Sequence, residues 1–177
     1  MKSGTDAQWI TIEGRDGASG HATLTGRLSF GYPITTEYPD GISVSYIYLN
    51  NLYFQGPGGS NNNIVIYPES HHLAFDNVEI DCQKDTANAS ALEPGNNVNN
   101  LCFKDMYVHG CGYSRDVPVT DPVSTFPTTC GGICIKGDNI DEVVFLNVKV
   151  SQNVGDGLGG SSKIAYGNSY FKQCLSE

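Results

Sequence analysis

One pattern constrains this chain more than any other. Five short runs alternate apolar residues on both sides of an Asn or Asp, at Asn51, Asn77, Asp105, Asn147 and Asn168. Four positions before each anchor stand Ile47, Leu73, Leu101, Val143 and Ile164; two before stand Leu49, Phe75, Phe103, Phe145 and Tyr166. One after stand Leu52, Val78, Met106, Val148 and Ser169; three after stand Phe54, Ile80, Val108, Val150 and Phe171. Alternation by two is strand periodicity. The phase slips at the anchor, so one strand ends, the chain bends, and a second strand begins with its apolar side still inward. Asn and Asp are the non-glycine residues that best tolerate the left-handed backbone such a bend requires. Successive anchors lie 26, 28, 42 and 21 residues apart, a period in the twenties with one long insertion. Units that short cannot bury an apolar face alone and must stack.

Stacking turns each apolar column into a ladder with about 4.8 Å per step. The anchor side chains stack too, each amide able to bond its neighbour; Asp105 lacks the amide donor and is expected to weaken its step. A third strand precedes each pair at Ile64–Ile66, near Ala89–Leu92, at Ile133–Ile135 and at Gly157–Gly159. Upstream, Trp9–Gly14 and Ala22–Gly26 read as a first, divergent turn of the stack. Three short strands per turn and no amphipathic helix describe an all-β parallel β-helix of about six coils. It fills residues 1–177 as a single domain, with 112–130 as an inserted loop.

Composition narrows the function classes. Net charge is −9 and charged residues make up only 16%. That balance argues against nucleic acid and anionic membranes as partners, which need clustered Lys and Arg. No apolar run is long enough for a membrane-spanning helix. The six cysteines, Cys82, Cys102, Cys111, Cys130, Cys134 and Cys174, are even in number and hint at disulfides and an extracellular or secreted setting. Cys130 and Cys134 lack Cys-x-x-Cys spacing, so neither a zinc site nor a thioredoxin-like motif is indicated. Cys111 has two candidate partners, Cys130 across the inserted loop and Cys82 on the neighbouring turn. The first residues, Met1–Asp6, contain no apolar signal-peptide core.

Trp9–Gly14, the repeated Asn-Val/Leu turns and the stretch from Gly131-Gly132-Ile133-Cys134-Ile135 through Val148 resemble the right-handed parallel β-helix of the pectin/pectate lyase-like superfamily. The resemblance covers about residues 8–174. It is specific for a right-handed, single-stranded parallel β-helix and unspecific for activity, because that superfamily includes lyases, glycoside hydrolases, esterases, tailspikes and non-catalytic surface proteins. It implies an extracellular protein whose partner is a polysaccharide. The lyases of the superfamily use a Lys or Arg to remove the proton α to a uronate carboxyl, often beside calcium held by acidic residues. If Ile133 and Ile135 face inward, Lys136 faces outward and is the best-placed base. Arg115, in the inserted loop, is its partner on the substrate carboxylate. Asp138, Asp141 and Asp156 are the candidate Ca²⁺ ligands; unmetallated, they would raise the lysine's pKa and oppose its role as a base. The superfamily usually covers its N-terminal end with a capping helix, and none is visible. Two readings of the ends stay open: a piece of a longer protein, or ends that pair end-to-end or as trimers, or are capped by an irregular segment such as 27–40.

Other outward residues offer different chemistry. Tyr53, Tyr107 and Tyr170 stand two positions after their anchors, interrupted by Glu79 and Lys149, and Tyr113 lies in the inserted loop. Outward rings can stack on sugar faces. His109 is expected beside Asp81 and Ser151, a trio with nucleophilic potential. His71 and His72 are adjacent on a strand, where successive side chains face opposite ways, so they are not expected to share a metal. The Asp-Asp and Gly-His-Gly signatures of polygalacturonases are absent, which ranks glycoside hydrolysis below elimination. The leading reading is a lyase acting on an acidic polysaccharide. The competing reading is a non-catalytic adhesin, fibre or spike segment.

Overall fold

The computed structural model describes residues 3–14, 22–32, 41–56, 64–82, 91–111, 132–135, 138–151, 158–160 and 170–176. Among these residues the regular structure is all strand. The chain opens with β1 (Ile10–Glu13), β2 (Ala22–Thr25), β3 (Leu28–Phe30), β4 (Ser45–Gln55) and β5 (Ile64–Ile66). It continues with β6 (His71–Asp81), β7 (Leu92–Pro94), β8 (Asn99–Lys104), β9 (Tyr107–His109) and β10 (Ile133–Ile135). It closes with β11 (Asp141–Leu146), β12 (Lys149–Ser151), β13 (Leu158–Gly160), β14 (Tyr170–Lys172) and β15 (Leu175–Ser176).

These strands form a ten-stranded and a five-stranded sheet, and every pairing in both is parallel. In the large sheet, β1 and β2 share the long β4, which pairs with the equally long β6. Beyond β6 the path divides at the bend: β8, β11 and β14 continue one half, and β9, β12 and β15 the other. The smaller sheet runs β3, β5, β7, β10, β13, in the same chain order. Trp9–Gly14 and Ala22–Gly26 are therefore a first layer on β4, as the sequence pattern predicts.

The apolar columns make the core. Ile47, Leu73, Leu101 and Val143 are buried, as are Leu49, Phe75, Phe103 and Phe145; Leu52, Val78, Met106 and Val148; and Phe54, Ile80, Val108 and Val150. Phe30 meets Phe75 edge-on at 5.6 Å, and Phe75, Phe103 and Phe145 follow one another with ring centroids 5.2 and 5.0 Å apart. A further column, Val44, Ser70, Val98 and Ile140, is also buried. Its one polar member is satisfied, because Ser70 Oγ accepts the Val44 N–H at 3.2 Å.

Left-handed residues recur in three lines. Asn51, Asn77, Asp105 and Asn147 have φ between 50° and 53°. Five residues earlier in each repeat, Tyr46, His72, Asn100 and Glu142 have φ between 53° and 57°. Glu69, Asn97 and Asn139 form the third line, at 64°, 55° and 56°. Two lines carry side-chain ladders. Asn77 Nδ2 donates to Asn51 Oδ1 and Asn147 Nδ2 to Asp105 Oδ1, both at 2.7 Å. Asn97 Nδ2 donates to Glu69 Oε1 at 2.5 Å, and Asn139 Nδ2 to Asn97 Oδ1 at 2.9 Å.

The structure corrects the repeat in four places. The bend in register with Asn147 falls on Gln173 (φ 53°), because Val144 pairs with Tyr170 and Leu146 with Lys172, while the expected anchor Asn168 lies outside the described residues. The segment read as irregular, 27–40, contributes β3, whose Phe30 is fully buried. The strand expected near Ala89–Leu92 lies at Leu92–Pro94, and that expected at Gly157–Gly159 at Leu158–Gly160. Cys111 is bonded to Cys82 on the neighbouring strand path and so not to Cys130. Among the described residues Cys102 and Cys174 are free thiols.

Candidate functional site

The half of the large sheet that follows the Asn bend presents an outward face rich in polar and aromatic side chains. Register places Tyr53, Glu79, Tyr107 and Lys149 in one column, and Gln55, Asp81, His109 and Ser151 in the next. Inward partners at alternate positions are apolar and buried, so these side chains stand outward by the pleat. Tyr53 OH donates to Asp81 Oδ2 at 2.9 Å. Burial, then that hydrogen bond and the charge of Asp81, push the Tyr53 hydroxyl up to about 12, so it remains a donor across the physiological range. His109 Nε2 lies 2.9 Å from Glu79 Oε1, and its Nδ1 lies 3.8 Å from Asp81 Oδ1. The His109 ring stacks on Tyr107 at 4.5 Å, and Lys149 Nζ sits 5.5 Å from the same Tyr107 ring. Tyr107 OH and Ser151 Oγ are 3.1 Å apart.

The arrangement holds two carboxylates, an imidazole, two phenols and an ammonium on a flat strand surface. Asp81, His109 and Ser151 do share a column, as the sequence predicts. They do not form a nucleophilic relay, because the His109 nitrogens face Glu79 and Asp81 while Ser151 bonds to Tyr107. The chemistry available is hydrogen bonding by paired donors and acceptors beside aromatic faces, which suits polyhydroxylated ligands.

The other half of the sheet carries a second polar run. Lys104 Nζ bonds Asp76 Oδ2 at 2.9 Å and Tyr48 OH donates to the same oxygen at 3.0 Å. Burial and that hydrogen bond raise the Tyr48 pKa, and the Asp76 bond and charge raise that of Lys104. Cys102 lies nearby, its thiol pKa raised first by burial and then by Asp76, which disfavours the reactive thiolate. At the start of the same half, Trp9, Tyr46, His71 and His72 form an aromatic group. His71 and His72 do face each other, with their Nδ1 atoms 2.6 Å apart. The alternation rule fails here because His72 is left-handed, with φ 53°. Burial, then the charge of His72, lowers the His71 pKa.

Tyr53 and Tyr107 thus share a face, with β6 and its Glu79 between them. Tyr170 does not join them; the Gln173 register sets it opposite Val144, on the other half of the sheet. Asp138 is an exposed turn residue whose N–H donates to Asn96 Oδ1 at 2.9 Å. Asp141 opens β11, and its Oδ1 accepts the Glu142 N–H at 2.8 Å. Lys136, Arg115, Tyr113 and Asp156 lie outside the described residues. Among the described residues no three His, Cys, Asp or Glu side chains gather as a metal set. Asp138 and Asp141 are two of the three candidate Ca²⁺ ligands, and the third, Asp156, is outside the described residues. The sequence reading treated Glu79 and Lys149 as interruptions of a tyrosine column; their place in the site was visible only in their shared position two after the anchor. The group around Trp9 carried no such signal.

No protein-family model matches the chain, and neither does any curated protein or solved structure.

Proposed function

We propose that this chain is an extracellular polysaccharide-binding protein, built as a right-handed parallel β-helix of the pectin/pectate lyase-like kind. The winding is supported by the parallel pairing throughout, the common chain order of both sheets, and the bend residues that recur at fixed places in each repeat. Right-handedness follows from the strong chirality of parallel β crossovers. The Cys82–Cys111 bridge supports an oxidising compartment. The observation that carries the binding reading is the face on which Tyr53, Glu79, Asp81, Tyr107 and His109 join in hydrogen bonds and ring stacking.

The catalytic form of this reading is β-elimination on an acidic polysaccharide, with Lys136 as base and Arg115 on the substrate carboxylate; it rests on the resemblance. Electrophoresis of the protein through gels containing pectate, alginate, glycosaminoglycans or neutral glycans tests binding. Absorbance of the unsaturated product tests elimination in the same samples. Retardation by one polysaccharide, weakened at least about tenfold in Tyr107→Ala, is expected, since loss of one stacked ring removes about 1.5 kcal/mol. Migration unchanged in every gel and no unsaturated product would sink both forms.

A second reading is self-association through the N-terminal layer. Trp9, Leu24, Tyr32 and Ile42 are the exposed large apolar residues among those described, and all lie beside β1, β2 or β3. Each of those strands pairs on one side only among the described residues. Sedimentation velocity over a hundredfold concentration range distinguishes this: a constant monomer coefficient excludes it.

A further inference from the structure

We propose that His71 and His72 form a binding site for a borderline divalent cation such as Ni²⁺ or Zn²⁺. Adjacent strand residues ordinarily project to opposite faces, which would keep the two rings apart. The left-handed backbone at His72 (φ 53°) cancels that alternation and turns both Nδ1 atoms to one point, 2.6 Å apart. Two imidazole nitrogens that close share a single proton at most, since one must accept from the other. A metal ion replaces that proton and bonds both lone pairs with a small opening of the pair, because Zn–N bonds are about 2.0–2.1 Å.

The surroundings hold the rings for this task. Tyr46 stacks on His72 at 4.5 Å and meets His71 edge-on at 5.7 Å. Trp9 closes the group, 5.7 Å from Tyr46 and 6.4 Å from His72. Both histidines are half-buried, so the rings lose little freedom on binding while the site stays open to water. A left-handed bulky residue is strained, and the equivalent bend position on the next strand is Asn100, which takes that backbone more readily. Imidazole nitrogens favour Zn²⁺, Ni²⁺ and Cu²⁺ over Mg²⁺ and Ca²⁺. The chain supplies two ligands, and water completes the shell. This site is separate from the Tyr53–His109 face and independent of the glycan reading.

The test uses the full chain and its single tryptophan, Trp9, as reporter. Titration with Ni²⁺ is expected to quench Trp9 fluorescence with one metal per chain, to be reversed by chelator, and to be competed by Zn²⁺ but not by Ca²⁺. His72→Asn keeps a residue suited to the left-handed backbone and removes the imidazole; it should weaken quenching at least about tenfold. His71→Gln tests the partner ligand, and far-UV circular dichroism checks that each variant is folded. Absence of saturable quenching overturns the proposal. So does quenching of unchanged midpoint in both folded variants.

Discussion

Tyr53 and Asp105 show how single side chains set local properties. The Tyr53 hydroxyl is pushed up to about 12, from an unfolded value near 10, by burial and by Asp81. A raised pKa on an acid means that the folded state favours the protonated form. Its contribution to stability is therefore complete below about pH 10 and disappears as pH rises through about 12. The difference in phenolate absorbance between the native protein and Tyr53→Phe should show one tyrosine titrating near 12, and denaturing the protein should move that titration down towards 10. A native Tyr53 that ionises near 10 would remove the argument. Asp105 makes the opposite case, a residue that underperforms. It accepts from Asn147 but, when ionised, has no N–H to offer Asn77, which stands one strand away in the same line. Asp105→Asn keeps the left-handed backbone and supplies the donor. It gives up an exposed 3.6 Å contact with Lys104, worth little in water. The variant should gain about 0.5–1.5 kcal/mol in denaturant unfolding; a loss of that size would show that the ladder is not limited by this step.

The strands follow from which residues repeat and from what the bends demand of them. The four columns around the Asn line were legible in the sequence because they alternate strictly and change phase at a residue type with a known backbone preference. The bend at Gln173 was not legible, since glutamine carries no such preference, and the nearby Asn168 supplied a false anchor that displaced Tyr170 by one bend. The line through Tyr46, His72, Asn100 and Glu142 was hidden for the same reason: four residue types share one φ and no composition. The candidate face was half legible. Its columns follow from register, but the Glu79–His109 and Tyr53–Asp81 bonds depend on side-chain reach across strands, which spacing does not encode. Among the inward ladders, the Phe30–Phe75–Phe103–Phe145 row is the most continuous. Phe103 has a ring on either side and is fully buried, so its neighbours cannot both collapse into the space it leaves. Phe103→Ala should cost about 3–5 kcal/mol in urea unfolding. A cost under about 1 kcal/mol would mean that the ladder relaxes freely.

The whole molecule depends on contacts between successive layers, and only one covalent bond among the described residues ties two of them. Cys82 follows β6 and Cys111 follows β9, so the bridge links neighbouring strands of the second half of the sheet, 29 residues apart in sequence. Both cysteines are buried at the end of apolar columns, which protects the bond from reductant in the folded state. Closing a loop of that length removes about 3–4 kcal/mol of unfolded-chain entropy. The paired variant Cys82→Ala with Cys111→Ala should therefore lose about that much stability while keeping its far-UV spectrum, because the hydrogen bond from Cys82 N–H to His109 O and the β6–β9 pairing hold the same strands in register. The effect reaches the candidate face. Asp81 precedes Cys82 and His109 lies two residues before Cys111, so loosening the bridge frees the strand ends that set the Glu79–His109–Asp81 geometry. Polysaccharide retardation in the gel assay should weaken in the double alanine variant at a temperature where the protein remains folded. A variant that loses stability but binds unchanged would separate the bridge from the site and leave it a purely structural cross-link.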